Sequence, residues 1–150
     1  MIANPQSSHR YSLRVYYEDT DAGGVVYHAN YLRYAERART EALRAAGIPH
    51  AELVEQFNLM FMVNRAEIDY VRPAILDDML VVETETSDVG GATVLLRQTV
   101  SSPRGVCATV RIKLACVRIG DNKPARIPPR WREVLAAMRR DVGSETERRE

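Results

Sequence analysis

Three acids within four residues, Glu18, Asp19 and Asp21, precede two glycines and a histidine in the stretch EDTDAGGVVYHAN at residues 18–30. Side chains of these types support three kinds of chemistry, of which metal binding is the first. Asp19-x-Asp21-x-Gly23 begins as a calcium loop does, but such a loop needs an oxygen ligand at its fifth position and a glutamate at its twelfth. Those positions hold Gly23 and Asn30. His9, His28 and His50 are scattered, with no i, i+4 pair and no cysteine cluster to hold a transition metal. No metal is expected.

The second chemistry is an aspartyl nucleophile for phosphoryl transfer, as in haloacid-dehalogenase-like phosphatases, which open on a strand ending in Asp-x-Asp. That chemistry sits on a doubly wound parallel sheet, and the residues downstream read instead as antiparallel strands. The third is a carboxylate acting on a carbonyl, as general base or as nucleophile. It needs donors for the oxyanion, which exposed N–H groups at a helix N-terminus supply. It also needs close backbone approach, which glycine permits. Asp21, then Gly23-Gly24, then the amides around Tyr27 to Tyr31 offer all three in order. No G-x-S-x-G elbow offers a serine triad instead. Acids, glycines and asparagine ahead of a helix are also ordinary turn and capping chemistry, and a lone histidine is commonly structural. The residue types alone leave both accounts open.

The elements that must position these groups are legible from periodicity. Residues 10–17, RYSLRVYY, alternate and carry aromatic and β-branched types, which predicts a strand. From Asn30 to Ala46 the period becomes helical, with Tyr31, Leu32, Ala35, Ala38, Ala42, Leu43 and Ala46 on one stripe. Gly47 and Pro49 end it. So many alanines predict a helix lying very close to its packing partner. A short amphipathic piece follows at 50–57. Strands are then expected at 62–71, 79–88, 92–100 and 106–119, separated by Arg72-Pro73, Gly90-Gly91 and Ser101-Ser102-Pro103-Arg104-Gly105. Such short links predict hairpins and an antiparallel sheet. Pro128-Pro129 precede a terminal helix, RWREVLAAMRR, with Trp131, Val134, Leu135 and Met138 on one face.

These elements make one α+β domain over residues 1–150, with residues 1–9 and 141–150 polar and expected to be loose. One helix cannot cover a five-stranded sheet and leave both faces soluble. The sheet is therefore expected to wrap around the helix, with its edge or outer face meeting a second subunit.

The 150 residues are 45% hydrophobic and 27% charged, ordinary values for a globular domain that needs no disulfide or metal staple. A net charge of +1 argues against a nucleic-acid partner. Cys107 and Cys116 fall on one predicted strand, roughly 30 Å apart, too far to bridge. Free thiols fit a reducing, cytoplasmic setting. No signal peptide and no membrane-spanning run is read.

The stretch VYYEDTDAGGVVYHANYLRYAERARTEALR, with YVRPAILDDMLVVET at 70–84, closely resembles the signature of the hotdog-fold acyl-CoA thioesterases. Within that family it is most similar to the YbgC-type branch associated with the Tol–Pal envelope system. The wider group includes 4-hydroxybenzoyl-CoA thioesterase. The resemblance implies a hotdog fold, an antiparallel sheet wrapped round one long helix, assembled as dimers and commonly as dimers of dimers. It implies hydrolysis of acyl-CoA thioesters without a cofactor. The catalytic carboxylate falls on Asp21, not on Glu18 or Asp19. His28 matches a histidine of the YbgC-type branch where benzoyl-specific relatives carry tyrosine, which points to aliphatic acyl groups. Backbone amides near Tyr27 and His28 would polarise the carbonyl. Tyr17, Gly24, Val26, Tyr27, Asn30 and Tyr31 also match the signature, as substrate wall and helix-start support.

Coenzyme A carries phosphates, and Arg97, Arg111 and Lys113 alternate toward one face of the last strands, either as phosphate ligands or as a solvated sheet face. Arg65, Glu67 and Asp69 read as a cross-strand charge ladder. Phe57, Met60, Phe61 and Met62 suit either an acyl pocket floor or core. An acyl-carrier protein is a second candidate thiol carrier. A hotdog hydratase or dehydratase, or a module that binds thioesters without turnover, are the rival functions.

Overall fold

The computed structural model describes residues 8–139. The expected loose ends therefore lie largely outside the described residues, although the first strand begins at His9. Five strands and three helices follow in the order β1 (His9–Arg14), α1 (Asn30–Ala45), α2 (His50–Phe57), β2 (Leu59–Tyr70), β3 (Met79–Val89), β4 (Thr93–Ser102), β5 (Gly105–Arg118) and α3 (Pro129–Ala137).

The strands form one antiparallel sheet in the order β1-β3-β4-β5-β2. β3–β4 and β4–β5 are the expected hairpins. The link after β2 is not a hairpin, because β2 pairs with β5 rather than with β3. Residues 71–78 instead run across the end of the sheet. The Val71 and Arg72 amides bond to the Cys107 carbonyl, and the Asp77 amide bonds to Val15 beside β1. Arg72-Pro73 thus opens a crossing strap, which carries the candidate site.

Alternation decides which face each side chain takes. On β4, Val94, Leu96, Gln98 and Val100 are buried beneath α1, while Arg97 points the other way. The Gln98 amide nitrogen donates to the Ala35 carbonyl of α1 at 2.7 Å and to the Thr84 hydroxyl at 2.9 Å. A buried amide thus finds partners on both the helix and the neighbouring strand.

The alanine stripe does what its composition predicts. Ala35 and Ala38 are fully buried and Ala42 nearly so, and Ala38 shares a cluster with Leu13, Leu80, Val82 and Val100. No space remains there for a larger side chain. Ala38→Leu is expected to cost about 1–3 kcal/mol by overpacking, seen as a lower Tm in differential scanning calorimetry.

Two boundaries differ from the periodic reading. β1 ends at Arg14 rather than at Tyr17, because the Asp19 carboxylate captures the Tyr16 amide at 2.8 Å and turns Tyr17–Asp19 into a 3-10 turn. A local side-chain bond outcompetes the strand ladder. β2 starts at Leu59, just after Asn58 closes α2 in the left-handed region. Among the described residues, no helix is long and apolar enough to cross a membrane, and both cysteines are buried and free on β5.

Candidate active site

The acids do not cap α1, whose start has no side-chain cap and no acid in its first turn. Their partners separate them. Asp19 is structural: its carboxylate holds the Tyr16 amide, and its carbonyl accepts from both the Tyr27 amide and the Asn30 side chain, each at 2.9 Å. The Tyr34 hydroxyl is buried beside it. Burial first, then the Asp19 charge, pushes that phenol well above its ordinary range. Glu18 has no hydrogen bond among the described residues and stays exposed. Asp21 is exposed on a small hairpin, closed by its amide bonding to Val25 at 2.9 Å and by the Thr20–Val26 bridge.

Gly24 is required by the geometry of that hairpin, and Gly23 leaves room for the Asp21 carboxylate. Gly24 has φ +83°, where a side chain is strained, and a Cβ on Gly23 would stand 3.3 Å from Asp21 Oδ1. The Gly23 amide donates to that same oxygen at 2.8 Å. One carboxylate oxygen is thereby oriented, and Oδ2 keeps no bond among the described residues.

The hairpin's second arm runs directly into the helix. Val25 bridges to Ile75, and the buried Val26 donates its amide to Ala74 on the crossing strap. The Tyr27 amide is taken by Asp19, and the Asn30 amide by the Tyr27 carbonyl at 2.8 Å. The amides of His28 and Ala29 make no hydrogen bond among the described residues. They are donors available at this helix N-terminus, whereas the Tyr27 amide is already bonded to Asp19.

His28 is exposed, with its ring 4.5 Å from that of Tyr27 and edge-on to Tyr70 at 6.4 Å. The expected wall residues divide. Tyr17 is 82% exposed on the 3-10 turn and Tyr27 is exposed beside His28. Tyr31 is 3% exposed, with its hydroxyl accepting from the Ala74 amide, and Asn30 is buried against Asp19, so both support the helix start.

Arg97, Arg111 and Lys113 are not brought to this loop. They stand on the sheet face turned away from α1, with Arg97 opposite Arg111 and Lys113 opposite Leu95. Arg111 is already paired with Asp69 at 2.8 Å across β2 and β5, while Arg65 pairs with Glu67 at 3.0 Å along β2 itself, so only the first is a cross-strand pair of the kind read from the sequence. Phe61 is half-buried beside the core cluster of α2, β5 and α3. Among the described residues no group of acids, histidines and cysteines has a metal-binding arrangement.

The Thioesterase-like superfamily model matches residues 15–137, which span this whole constellation. The acyl-CoA thioesterase YbgC of Haemophilus influenzae is 49% identical over 128 residues, covering 85% of this chain and 92% of that protein. The chain belongs to the YbgC family of thioesterases. Another YbgC acyl-CoA thioesterase, from Helicobacter pylori, is 35% identical over 135 residues, covering 83% of this chain and 98% of its own length. Among solved structures, a probable thioesterase from Bartonella henselae superposes with a TM-score of 0.77 at 35% identity, covering 81% of this chain and all of that one. This family member thus has the hotdog architecture that its sequence pattern implies.

What the sequence alone did not mark out is Tyr70 and the strap. Tyr70 donates its hydroxyl to the His28 carbonyl at 2.8 Å across 42 residues of sequence. Its place in the motif at 70–84 was the available signal; nothing in periodicity tells which loop it meets.

Proposed function

We propose that the protein hydrolyses acyl-CoA thioesters to a free carboxylic acid and coenzyme A, with Asp21 as the reacting carboxylate. One observation carries this reading. Of the three clustered acids, only Asp21 pairs an exposed carboxylate with a glycine-built hairpin that leads straight to unbonded amides at a helix start. A thioester carbonyl between them meets a nucleophile on one side and oxyanion donors on the other.

As nucleophile, Asp21 adds to the carbonyl carbon, the C–S bond breaks to release the thiolate, and water then hydrolyses the mixed anhydride. As base, Asp21 takes a proton from a water that attacks the same carbon. The amides of His28 and Ala29 hold the developing oxyanion in either route. His28 hydrogen-bonds the carbonyl or, in the base route, relays to the departing thiolate the proton that Asp21 takes from water. Neither route uses a cofactor.

The working unit in this proposal is a homo-oligomer, with a dimer of dimers as the full assembly. β2 is an edge strand whose residues 62–67 are exposed on both faces. Its start is blocked because His50 Nε2 of α2 accepts the Phe61 amide at 3.3 Å, and burial, with the nearby Arg39 charge, keeps that imidazole below its ordinary pKa and in the accepting form. The remaining edge suits pairing with a second copy. Arg97, Arg111 and Lys113 then serve a coenzyme A phosphate only if the ligand is held by another copy. The free thiols suit a cytoplasmic setting.

The test is release of free thiol from short, medium and long acyl-CoAs, benzoyl-CoA and acyl-carrier-protein thioesters. Thiol release from aliphatic acyl-CoAs is the expected result. Binding without thiol release transfers the protein to the class of thioester-binding modules, and consumption of a 2-enoyl thioester without thiol release makes it a hydratase.

A further inference from the structure

We infer that Tyr70 is a positioning residue for this site, acting through the peptide between His28 and Ala29; this rests on the thioesterase reading above. A peptide unit is planar, so its carbonyl and its N–H point in opposite directions along one rigid plate. Whatever pins the His28 oxygen therefore aims the Ala29 N–H. The Tyr70 hydroxyl pins it, donating at 2.8 Å.

The plate on the other side of His28 is pinned as well. The Tyr27 carbonyl accepts from the Asn30 amide at 2.8 Å, and the Tyr27 amide is held by Asp19 at 2.9 Å. That fixes the direction of the His28 N–H. With both flanking plates held, the unbonded amides of His28 and Ala29 are oriented before any substrate arrives. Only one of the two clamps depends on a side chain from a distant element, and that side chain is Tyr70.

The ring contributes separately. It stands edge-on to His28 at 6.4 Å and to Tyr31 at 5.6 Å. Tyr27 lies against His28 as well, at 4.5 Å, so two tyrosines restrict the imidazole. Tyr70 is the last residue of β2 and is 52% exposed. A residue so placed is poorly explained by core packing, because half of it faces outward while its hydroxyl is spent on a backbone carbonyl. The donated bond also draws electron density toward the His28 oxygen, which makes the Ala29 N–H a better donor.

The experiment compares wild type with Tyr70→Phe, which keeps the ring and removes the hydroxyl. Three readouts are taken: kcat and KM by thiol release, the pH profile of kcat, and the backbone ¹⁵N–¹H resonance of Ala29. The expected result is a fall in kcat of about tenfold, the effect of one oriented donor, with KM unchanged within about twofold. The shape of the profile changes, and the Ala29 resonance moves while those of α3 stay in place. An unchanged kcat overturns the inference, and so does an unmoved Ala29 resonance. A lower Tm with kcat, profile and resonance unaltered makes Tyr70 merely structural and also overturns it. If wild type releases no thiol from any thioester, the thioesterase reading fails by itself. The Ala29 resonance then decides whether the clamp exists.

Discussion

Asp21→Asn is expected to give a folded protein that releases thiol from acyl-CoA about 10²–10⁴-fold more slowly than wild type, the range for loss of a positioned base or nucleophile. So selective an effect follows from the carboxylate's surroundings. Its one bond among the described residues is the Gly23 amide on Oδ1, which an asparagine oxygen accepts equally well. The hairpin itself is held by backbone bonds to Val25 and by the Val26–Ala74 bond, which the substitution does not touch. Tm should therefore stay within a degree or so while kcat collapses. Asp19→Ala is the contrasting control. That carboxylate holds the 3-10 turn and borders the buried Tyr34, so its removal should lower stability more than it lowers turnover in the surviving folded fraction. If folded Asp21→Asn keeps more than a tenth of wild-type kcat, the carboxylate is not the reacting group. Glu18→Gln is then the next variant to measure.

The sequence carried the elements further than it carried their arrangement. α1 was legible because its alanine stripe repeats at helical spacing and Gly47 and Pro49 stop it. β3, β4 and β5 were legible because strict alternation coincides with turn residues. The end of β1 was not, because the Asp19 carboxylate competes for the Tyr16 amide and no alternation rule weighs a local side-chain bond against a ladder. The pairing of β2 with β5 was not either. Arg72-Pro73 looks like a turn, and only tertiary pairing tells a tight hairpin from a strap crossing the sheet. At the candidate site, Asp21, Gly23, Gly24 and His28 are local in sequence and could be read together. Tyr70 and Asp78 act on that loop from more than 40 residues away, through one hydroxyl and one carboxylate.

Asp78→Ala is expected to be the most damaging single change outside the loop, because it unfastens the strap that the hairpin rests on. Asp78 is 7% exposed and fully bonded. Arg104 donates to both of its oxygens, and the Ile75 amide donates to Oδ2 at 2.9 Å. Its own carbonyl receives the Val15 amide at 2.9 Å, tying the strap to the chain just beyond β1. Removing the carboxylate leaves the Ile75 amide without that partner and Arg104 without its counter-charge. Stability should fall by about 1.5–3 kcal/mol, the range for a hydrogen bond to a charged group. Ile75 bridges Val25 and Ala74 holds Val26, so kcat should fall along with Tm, unlike in Ala38→Leu, where the damage is to packing. The pH dependence gives the argument its sign. The Arg104 hydrogen bonds, against an opposing cost of burial, hold the Asp78 carboxyl below its ordinary value. A folded pKa below the unfolded one means stability that is present in full above the unfolded pKa and lost as pH falls through the folded one. The Tm gap between wild type and Asp78→Ala should thus be widest near neutrality and close below roughly pH 4. A gap that holds constant from neutral pH to pH 3 would mean that the strap is fastened by packing and backbone bonds, with the ion pair incidental to it.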